Sequence, residues 1–83
     1  MRVNVKYFAS IRESIGTGSE ALDTTAATLG ALRDELIARG GAHAESLARG
    51  RAVRMALNQV MSDESTPLTE GAEVAFFPPV TGG

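Results

Sequence analysis

The stretch LGALRDELIAR, residues 29–39, has the most regular pattern in the chain and predicts an amphipathic helix. Its apolar residues share one stripe at helical spacing, and they are Leu29, Leu32, Leu36 and Ile37. The charged residues expected to face water are Arg33, Asp34 and Glu35. Thr28 is placed to cap the first turn with its hydroxyl, and Gly40-Gly41 can end the helix in the left-handed conformation. Because one stripe is apolar, this helix needs a second element on which to bury it.

Segments before and after the helix alternate polar and apolar residues with a period of two, which is typical of strands. The predicted strands are RVNVKYF (2–8), SEALDT (19–24), VRMAL (53–57), a short return strand at 60–62 and EVAFF (73–77). Alternation places Val3, Val5 and Tyr7 on one face of the first strand. Short helical turns are predicted within 10–16 and 42–51, and turns or loops at Asn58-Gln59, SDESTP (62–67) and Glu70-Gly71.

This order of elements predicts an α+β fold, a mixed four- or five-stranded sheet with one main helix packed on one face. The sheet and the helix each have an apolar side that only the other can cover. The β-grasp, or ubiquitin-like, fold is the commonest small arrangement of this kind. We expect residues 1–77 to form the β-grasp domain and residues 78–83 to form an extended tail.

Composition excludes several classes of function. The chain has 83 residues, enough for one domain, and a formal net charge of −2. It contains no cysteine, which excludes disulfides, thiolate metal sites and sulfur carried as a cysteine persulfide. It has neither the basic excess of nucleic-acid binders nor an apolar run long enough to span a bilayer. We therefore expect a cytoplasmic protein that binds no metal, nucleic acid or membrane.

The C-terminal stretch FFPPVTGG, residues 76–83, is the most informative for function. Pro78 and Pro79 donate no ladder hydrogen bond, so the sheet must stop there and the chain must stay extended. The six residues of the tail can reach about 20 Å. Beyond the prolines the side chains become smaller along the tail, which continues with Val80 and Thr81 and ends in Gly82 and Gly83, two residues without a side chain. A narrow channel in another protein could admit the glycine backbone and act on the Gly83 carboxylate.

Other residues carry candidate roles with alternatives. In the last strand, Val74 and Phe76 should face the core, so Ala75 and Phe77 should lie on the opposite face and form a partner interface. Phe77 could instead cap the domain's own core. Residues expected to be solvated or structural are His43, the acidic pairs Asp34-Glu35 and Asp63-Glu64, and Met55 and Met61 as core or strand fillers. The remaining cluster, Arg49, Arg51 and Arg54, is either a solvated surface or a docking patch for an acidic partner.

The stretch LTEGAEVAFFPPVTGG (68–83), with VKYFASIRESIG (5–16) and ALRDEL (31–36), resembles the small subunits of molybdopterin synthase. These MoaD-family proteins are ubiquitin-like sulfur carriers of molybdenum cofactor biosynthesis. The resemblance covers essentially the whole chain, and FFPPVTGG is its most specific part, because a terminal Gly-Gly alone is shared with thiamine-pathway carriers and ubiquitin-like modifiers.

The resemblance implies a function for the tail. An adenylating, E1-like activating enzyme uses ATP on the Gly83 carboxylate, and sulfur from a persulfide donor then makes a thiocarboxylate. The thiocarboxylate passes sulfur to cyclic pyranopterin monophosphate inside the large synthase subunit, with which the carrier forms a heterotetramer. The domain itself would bind no cofactor and would be no enzyme on its own.

Three other readings of the chain remain open. It could carry sulfur for thiamine or another pathway, it could be a ubiquitin-like interaction module whose tail is never activated, or it could be a modifier joined through Gly83 to lysines.

Overall fold

The computed structural model describes residues 1–79 of the chain. Its strands are β1 (Arg2–Tyr7), β2 (Ser19–Asp23), β3 (Arg54–Leu57), β4 (Val60–Ser62) and β5 (Glu73–Phe77). Its helices are α1 (Ala9–Ile15), α2 (Leu29–Ile37) and α3 (Gly41–Leu47). The predicted strands and the main helix are therefore all present, with ends that differ from the expected ones by a few residues.

The five strands form one mixed sheet in the order β2-β1-β5-β3-β4. β1 and β5, the first and last strands of the described chain, lie side by side and parallel, and every other pairing is antiparallel. This confirms the predicted α+β fold with a mixed five-stranded sheet. Because β5 lies in the middle of the sheet, Pro78, which follows it, lies at the centre of one sheet end.

The core forms where one face of the sheet meets the apolar stripe of α2. The residues with no exposed surface include Val3, Val5, Val74, Phe76, Leu29, Leu32 and Leu36. Thr28 caps α2 as expected, since its hydroxyl accepts a hydrogen bond from the backbone N–H of Ala31 at 3.2 Å. Alternation in the strands and periodicity in the helix thus identified the buried faces.

The expectation that Arg33 faces water is wrong. Its side chain is only 4% exposed, because α3 and the chain after it cover that side of α2. Its Nε donates to the carbonyl oxygen of Leu47 at 2.8 Å, and its Nη2 donates to those of Ala48 and Arg51 at 2.8 and 3.1 Å. A guanidinium tolerates burial here because backbone acceptors replace the water it loses.

In the acidic pairs, Asp34 and Asp63 are exposed as expected, whereas Glu35 and Glu64 are partly buried. Asp34 accepts a hydrogen bond from Arg49 Nε at 3.0 Å, and Glu64 forms an ion pair with the same guanidinium. Glu35 accepts from the hydroxyl of Thr24 at 2.7 Å. These contacts join α2 to the loops on either side of it, which adjacent acidic residues in a sequence do not reveal.

A glycine is needed where Glu64 approaches α2. Gly30 is buried, and a Cβ at this position would lie 3.0 Å from side-chain atoms and 3.1 Å from the carbonyl oxygen of Glu64. The N–H of Gly30 donates to that carbonyl at 2.9 Å. The first turn of α2 therefore packs so closely against the 62–67 loop that a Cβ at position 30 would require Glu64 to move.

The hairpin between β3 and β4 turns where predicted. Asn58 and Gln59 both have positive φ, 49° and 69°, as the tight hairpin turn that suits the twist of a sheet requires.

The end of α2 differs from expectation. Its C-cap is Ala38, in the right-handed conformation, and Gly40, with φ of 76°, is instead the N-cap of α3. No helix in residues 1–79 is long and apolar enough to cross a bilayer.

Candidate functional site

The candidate site lies at the end of β5, where the tail begins. Phe77 is paired in register with Arg54 of β3, and the ladder stops after it. Pro78 is half-buried and Pro79 is exposed. The other predicted tail residues, Val80, Thr81, Gly82 and Gly83, lie outside the described residues. The boundary between a domain of residues 1–77 and a tail of residues 78–83 stays a prediction.

Phe77 lies where alternation placed it, on the face of the sheet opposite the core. Its neighbours Val74 and Phe76 are fully buried in the core cluster, whereas Phe77 is only half-buried and is not a member of that cluster. This location disfavours the alternative in which Phe77 caps the core. Its role as a contact for a partner remains a prediction.

A second aromatic residue, which the sequence analysis missed, lies beside Phe77. The ring of Phe8 meets the ring of Phe77 edge to face, with centroids 6.2 Å apart, and Phe8 is 46% exposed. The backbone N–H of Phe8 donates to the carbonyl oxygen of Phe76 at 3.1 Å, which holds the two aromatic residues together. Alternation in RVNVKYF already contained the signal, because Tyr7 pointing inward requires Phe8 to point outward.

Ala75, the other predicted interface residue, offers little surface of its own. It is 6% exposed, and in the sheet register it lies between Lys6 on one side and Ala56 on the other. Met61 follows in the same row and is 53% exposed, so it is not the core filler that Met55 is. We call the face that carries Phe77, Ala75, Ala56 and Met61 the open face.

His43 is not the isolated surface residue that was expected. Its ring lies edge to face against Tyr7 with centroids 5.8 Å apart, and its Nε2 is 3.3 Å from Glu20 Oε2. Arg39 Nη1 donates to Glu20 Oε1 at 2.7 Å, and the hydroxyl of Tyr7 donates to Glu20 Oε2 at 2.9 Å. We call these four residues, Tyr7, Glu20, Arg39 and His43, the Glu20 cluster.

The Glu20 cluster has a clear electrostatic signature. Burial acts to raise the pKa of Glu20, but hydrogen bonds from Arg39, Tyr7 and His43 outweigh it and hold that pKa below its usual value. Burial, with the hydrogen bond to Glu20, raises the pKa of Tyr7 well above its usual range. Within residues 1–79, no three His, Asp or Glu side chains come together so as to hold a metal ion. The cluster therefore ties elements together by charge and hydrogen bonding.

Comparison with known proteins places this geometry among sulfur carriers. A family described as the ThiS family matches residues 5–83. The chain is 41% identical over 81 residues to the molybdopterin synthase sulfur carrier subunit of Escherichia coli (strain K12), covering 98% of this chain and 99% of that one.

Solved structures of the same fold extend this likeness. The chain is similar to SAMP1 from Haloferax volcanii, with 27% identity, a TM-score of 0.78 and full coverage of both chains. It is also similar to a chain in the complex of subunits 1 and 2 of the molybdopterin-converting factor from Helicobacter pylori, with 30% identity, a TM-score of 0.70 and full coverage of both. The fold is thus the ubiquitin-like β-grasp of these carriers.

Proposed function

The chain belongs to the ThiS family, and from that membership we propose that it is the sulfur carrier subunit of a molybdopterin synthase. Its working group is the Gly83 carboxylate at the end of the tail. Converted to a thiocarboxylate, this group donates sulfur to cyclic pyranopterin monophosphate to build the dithiolene of molybdopterin. The catalytic groups for each step belong to partner proteins, so the chain is no enzyme on its own.

One observation carries the proposal. The central strand β5 ends beside a pair of solvent-accessible aromatic rings, and the chain continues through Pro78 and Pro79 toward a side-chain-free terminus. A rigid domain thereby presents a thin peptide from one fixed point, next to a surface on which another protein can settle. Full-length similarity to a molybdopterin synthase sulfur carrier subunit supports the same function.

The chemistry of a carboxylate explains why the tail needs an activating enzyme. Attack on a carboxylate would have to expel oxide, which is a very poor leaving group. When the Gly83 carboxylate attacks the α-phosphorus of ATP, pyrophosphate leaves and the acyl carbon gains AMP as a good leaving group. The terminal sulfur of a persulfide donor then displaces AMP and forms an acyl disulfide, and a thiol reductant cleaves its S–S bond with two electrons, which frees the donor thiol and leaves the thiocarboxylate. Such a group carries a soft, anionic sulfur without any cysteine in the chain.

The partners follow from these steps. The chain requires an adenylating enzyme that binds ATP, a persulfide sulfur donor, and a large synthase subunit that receives the charged tail. A solved complex of subunits 1 and 2 of a molybdopterin-converting factor supports the large subunit as the partner. Phe77 and Met61 of the open face, together with Phe8 beside Phe77, are the accessible apolar residues that such partners would cover.

The test is the intact mass of the chain after incubation with the activating enzyme, ATP, a persulfide donor and a thiol reductant. We expect one oxygen of the terminal carboxylate to be exchanged for sulfur, and the charged chain with the large subunit to convert cyclic pyranopterin monophosphate to molybdopterin. An unchanged mass under these conditions would overturn the proposal and favour an interaction module with an unactivated tail.

Two alternatives have distinct outcomes in the same experiment. A sulfur carrier for thiamine or another pathway would acquire sulfur but fail to support molybdopterin formation. A modifier would instead become joined to lysines of other proteins through Gly83. The likeness to a structure named small archaeal modifier protein 1, at 24% identity, concerns the fold alone.

A further inference from the structure

A groove with both polar and apolar walls lies beside the start of the tail and has no role in the proposed chemistry. It measures about 210 Å³, and its walls come from α1, α3, the loop before β3 and the tail itself. The polar residues of this tail-base groove are Ser10, Ser46 and Arg51, and its apolar residues include Val53, Pro78 and Pro79. A smaller cavity of about 80 Å³ shares Ser10, Ile11, Ser46 and Arg51 and is also lined by Glu45.

Ser46 contributes an unpartnered hydrogen-bonding group to the groove. The residue is 7% exposed, and its hydroxyl oxygen is buried without a hydrogen-bond partner among the described residues. Buried hydroxyls are ordinarily paired, because leaving one without water or a protein partner costs free energy. The wall of the groove therefore includes a residue whose hydroxyl has hydrogen-bonding capacity that no residue in 1–79 uses.

Arg51 contributes a positive charge that no residue in 1–79 neutralises. Its carbonyl oxygen accepts from Arg33 at 3.1 Å and its N–H donates to the carbonyl oxygen of Ala48 at 2.9 Å, so its backbone is held on both sides. Its guanidinium makes no hydrogen bond or ion pair with any other residue in 1–79. Arg49, in contrast, is paired with Asp34 and Glu64.

We propose that the tail-base groove binds a carboxylate side chain of the large synthase subunit. The inference rests on the proposed function, because it assumes that this subunit receives the tail. A protein that takes in residues 80–83 must approach Pro78 and Pro79, and these two residues form one wall of the groove. Covering Arg51 without a counter-charge would be costly, and a carboxylate suits a guanidinium and a hydroxyl at once. The groove then adds a polar, specific contact beside the apolar open face.

The experiment measures the affinity of the uncharged, full-length chain for the purified large subunit by titration calorimetry. We expect Arg51→Glu to weaken binding by about ten-fold or more and Arg51→Ala by less, with the difference shrinking as salt rises. Ser46→Ala should weaken binding without lowering the melting temperature, since it removes a hydroxyl that has no partner in the free domain. The control is Arg2→Glu, which makes the same charge change at the start of β1, away from the tail-base groove. This variant should leave the affinity unchanged.

Two further measurements separate this inference from the proposed function. The activating enzyme should still convert the Arg51→Glu tail to a thiocarboxylate, as followed by intact mass, because the inference concerns the large subunit only.

If wild-type chain gains sulfur but Arg51→Glu and Arg2→Glu bind the large subunit equally well, the groove holds only water or pairs Arg51 with Glu45. In that case the inference fails and the proposed function stands. The inference would also be overturned if Arg51→Glu weakened binding to the activating enzyme and left binding to the large subunit unchanged. If wild-type chain gains no sulfur, the proposed function itself fails.

Discussion

At the scale of single residues, Arg33 connects the main helix to the chain that crosses it. Three carbonyl oxygens, those of Leu47, Ala48 and Arg51, accept hydrogen bonds from one buried guanidinium. The same side chain therefore fixes the backbone that carries Arg51 into the tail-base groove. A residue on the face of α2 expected to be solvated thus organises a segment far away in sequence.

We predict that Arg33→Ala lowers the free energy of unfolding by about 3 kcal/mol, because it leaves buried carbonyl oxygens without donors. Urea unfolding followed by circular dichroism measures this change. Arg12→Ala on α1, which removes an exposed guanidinium, serves as the control and should change the unfolding free energy by less than about 0.5 kcal/mol. Equal effects of the two substitutions would show that the hydrogen bonds of Arg33 contribute nothing net.

Phe77 and Phe8 form the aromatic part of the proposed partner surface. We predict that Phe77→Ala weakens binding to the large subunit by about ten-fold while the fold survives, since exposed aromatic anchors commonly dominate interfaces. Titration of the variant against the large subunit measures the loss. Val60→Ala, which truncates a residue 65% exposed on the edge strand β4, is the control. Unchanged affinity of Phe77→Ala would remove this residue from the interface.

At the scale of elements, the Glu20 cluster joins the edge of the sheet to the helices. Glu20 lies in β2 and Tyr7 in β1, whereas Arg39 follows α2 and His43 lies in α3. The side chains of Tyr7, Arg39 and His43 all form hydrogen bonds with the Glu20 carboxylate. The contribution of this carboxylate to stability must therefore depend on whether it is ionised.

We predict that part of the stability is lost as pH falls below the ordinary Glu pKa of 4.5. The pKa of Glu20 is lower in the folded state than in the unfolded state, so the stabilisation is present above the unfolded pKa and disappears as pH falls through the folded pKa. Glu20→Gln should lower the melting temperature near neutral pH and should approach the wild-type value in acid. Thermal melts across this range measure the effect, with the exposed Glu13→Gln as control. A constant gap between Glu20→Gln and wild type at all pH values would contradict the prediction.

At the scale of the whole molecule, the proposed function assigns stability and sulfur transfer to different parts of the chain. The core lies between the sheet and the helices, and the proposed reactive group is the last residue of the sequence that follows the central strand β5. Substitutions can therefore separate folding from sulfur transfer.

We predict opposite results for two changes. Deleting Gly83 should abolish sulfur acceptance without lowering the melting temperature, because we expect the tail to lie outside the core. Val5→Asp should unfold the domain, since it places an unpaired charge at a position with no exposed surface. Intact mass after the activation reaction and a thermal melt report the two properties. A deletion of Gly83 that melts the domain would contradict the proposed separation of domain and tail.

Much of the fold followed from the sequence because its signals are local. The two-residue alternation of Val3, Val5 and Tyr7 and the leucine stripe of residues 29–37 each report which side of an element is apolar. Pro78 and Pro79 end the last strand for reasons confined to their own backbone. The same local logic placed Phe77 on the face away from the core.

Tertiary structure alone decided the contacts between elements distant in the chain. Arg33 is buried by residues 47–51, His43 meets Glu20 across the fold, and Ser46 and Arg51 come together with Pro78 in the tail-base groove. No period in the sequence specifies these neighbours, because a helix with a given pattern can be covered on its polar side by many different segments. The sequence by itself determined the domain's layers and carries the proposal for the chemistry of its end, whereas the packing of α3 against α2 determined which charges within residues 1–79 are paired.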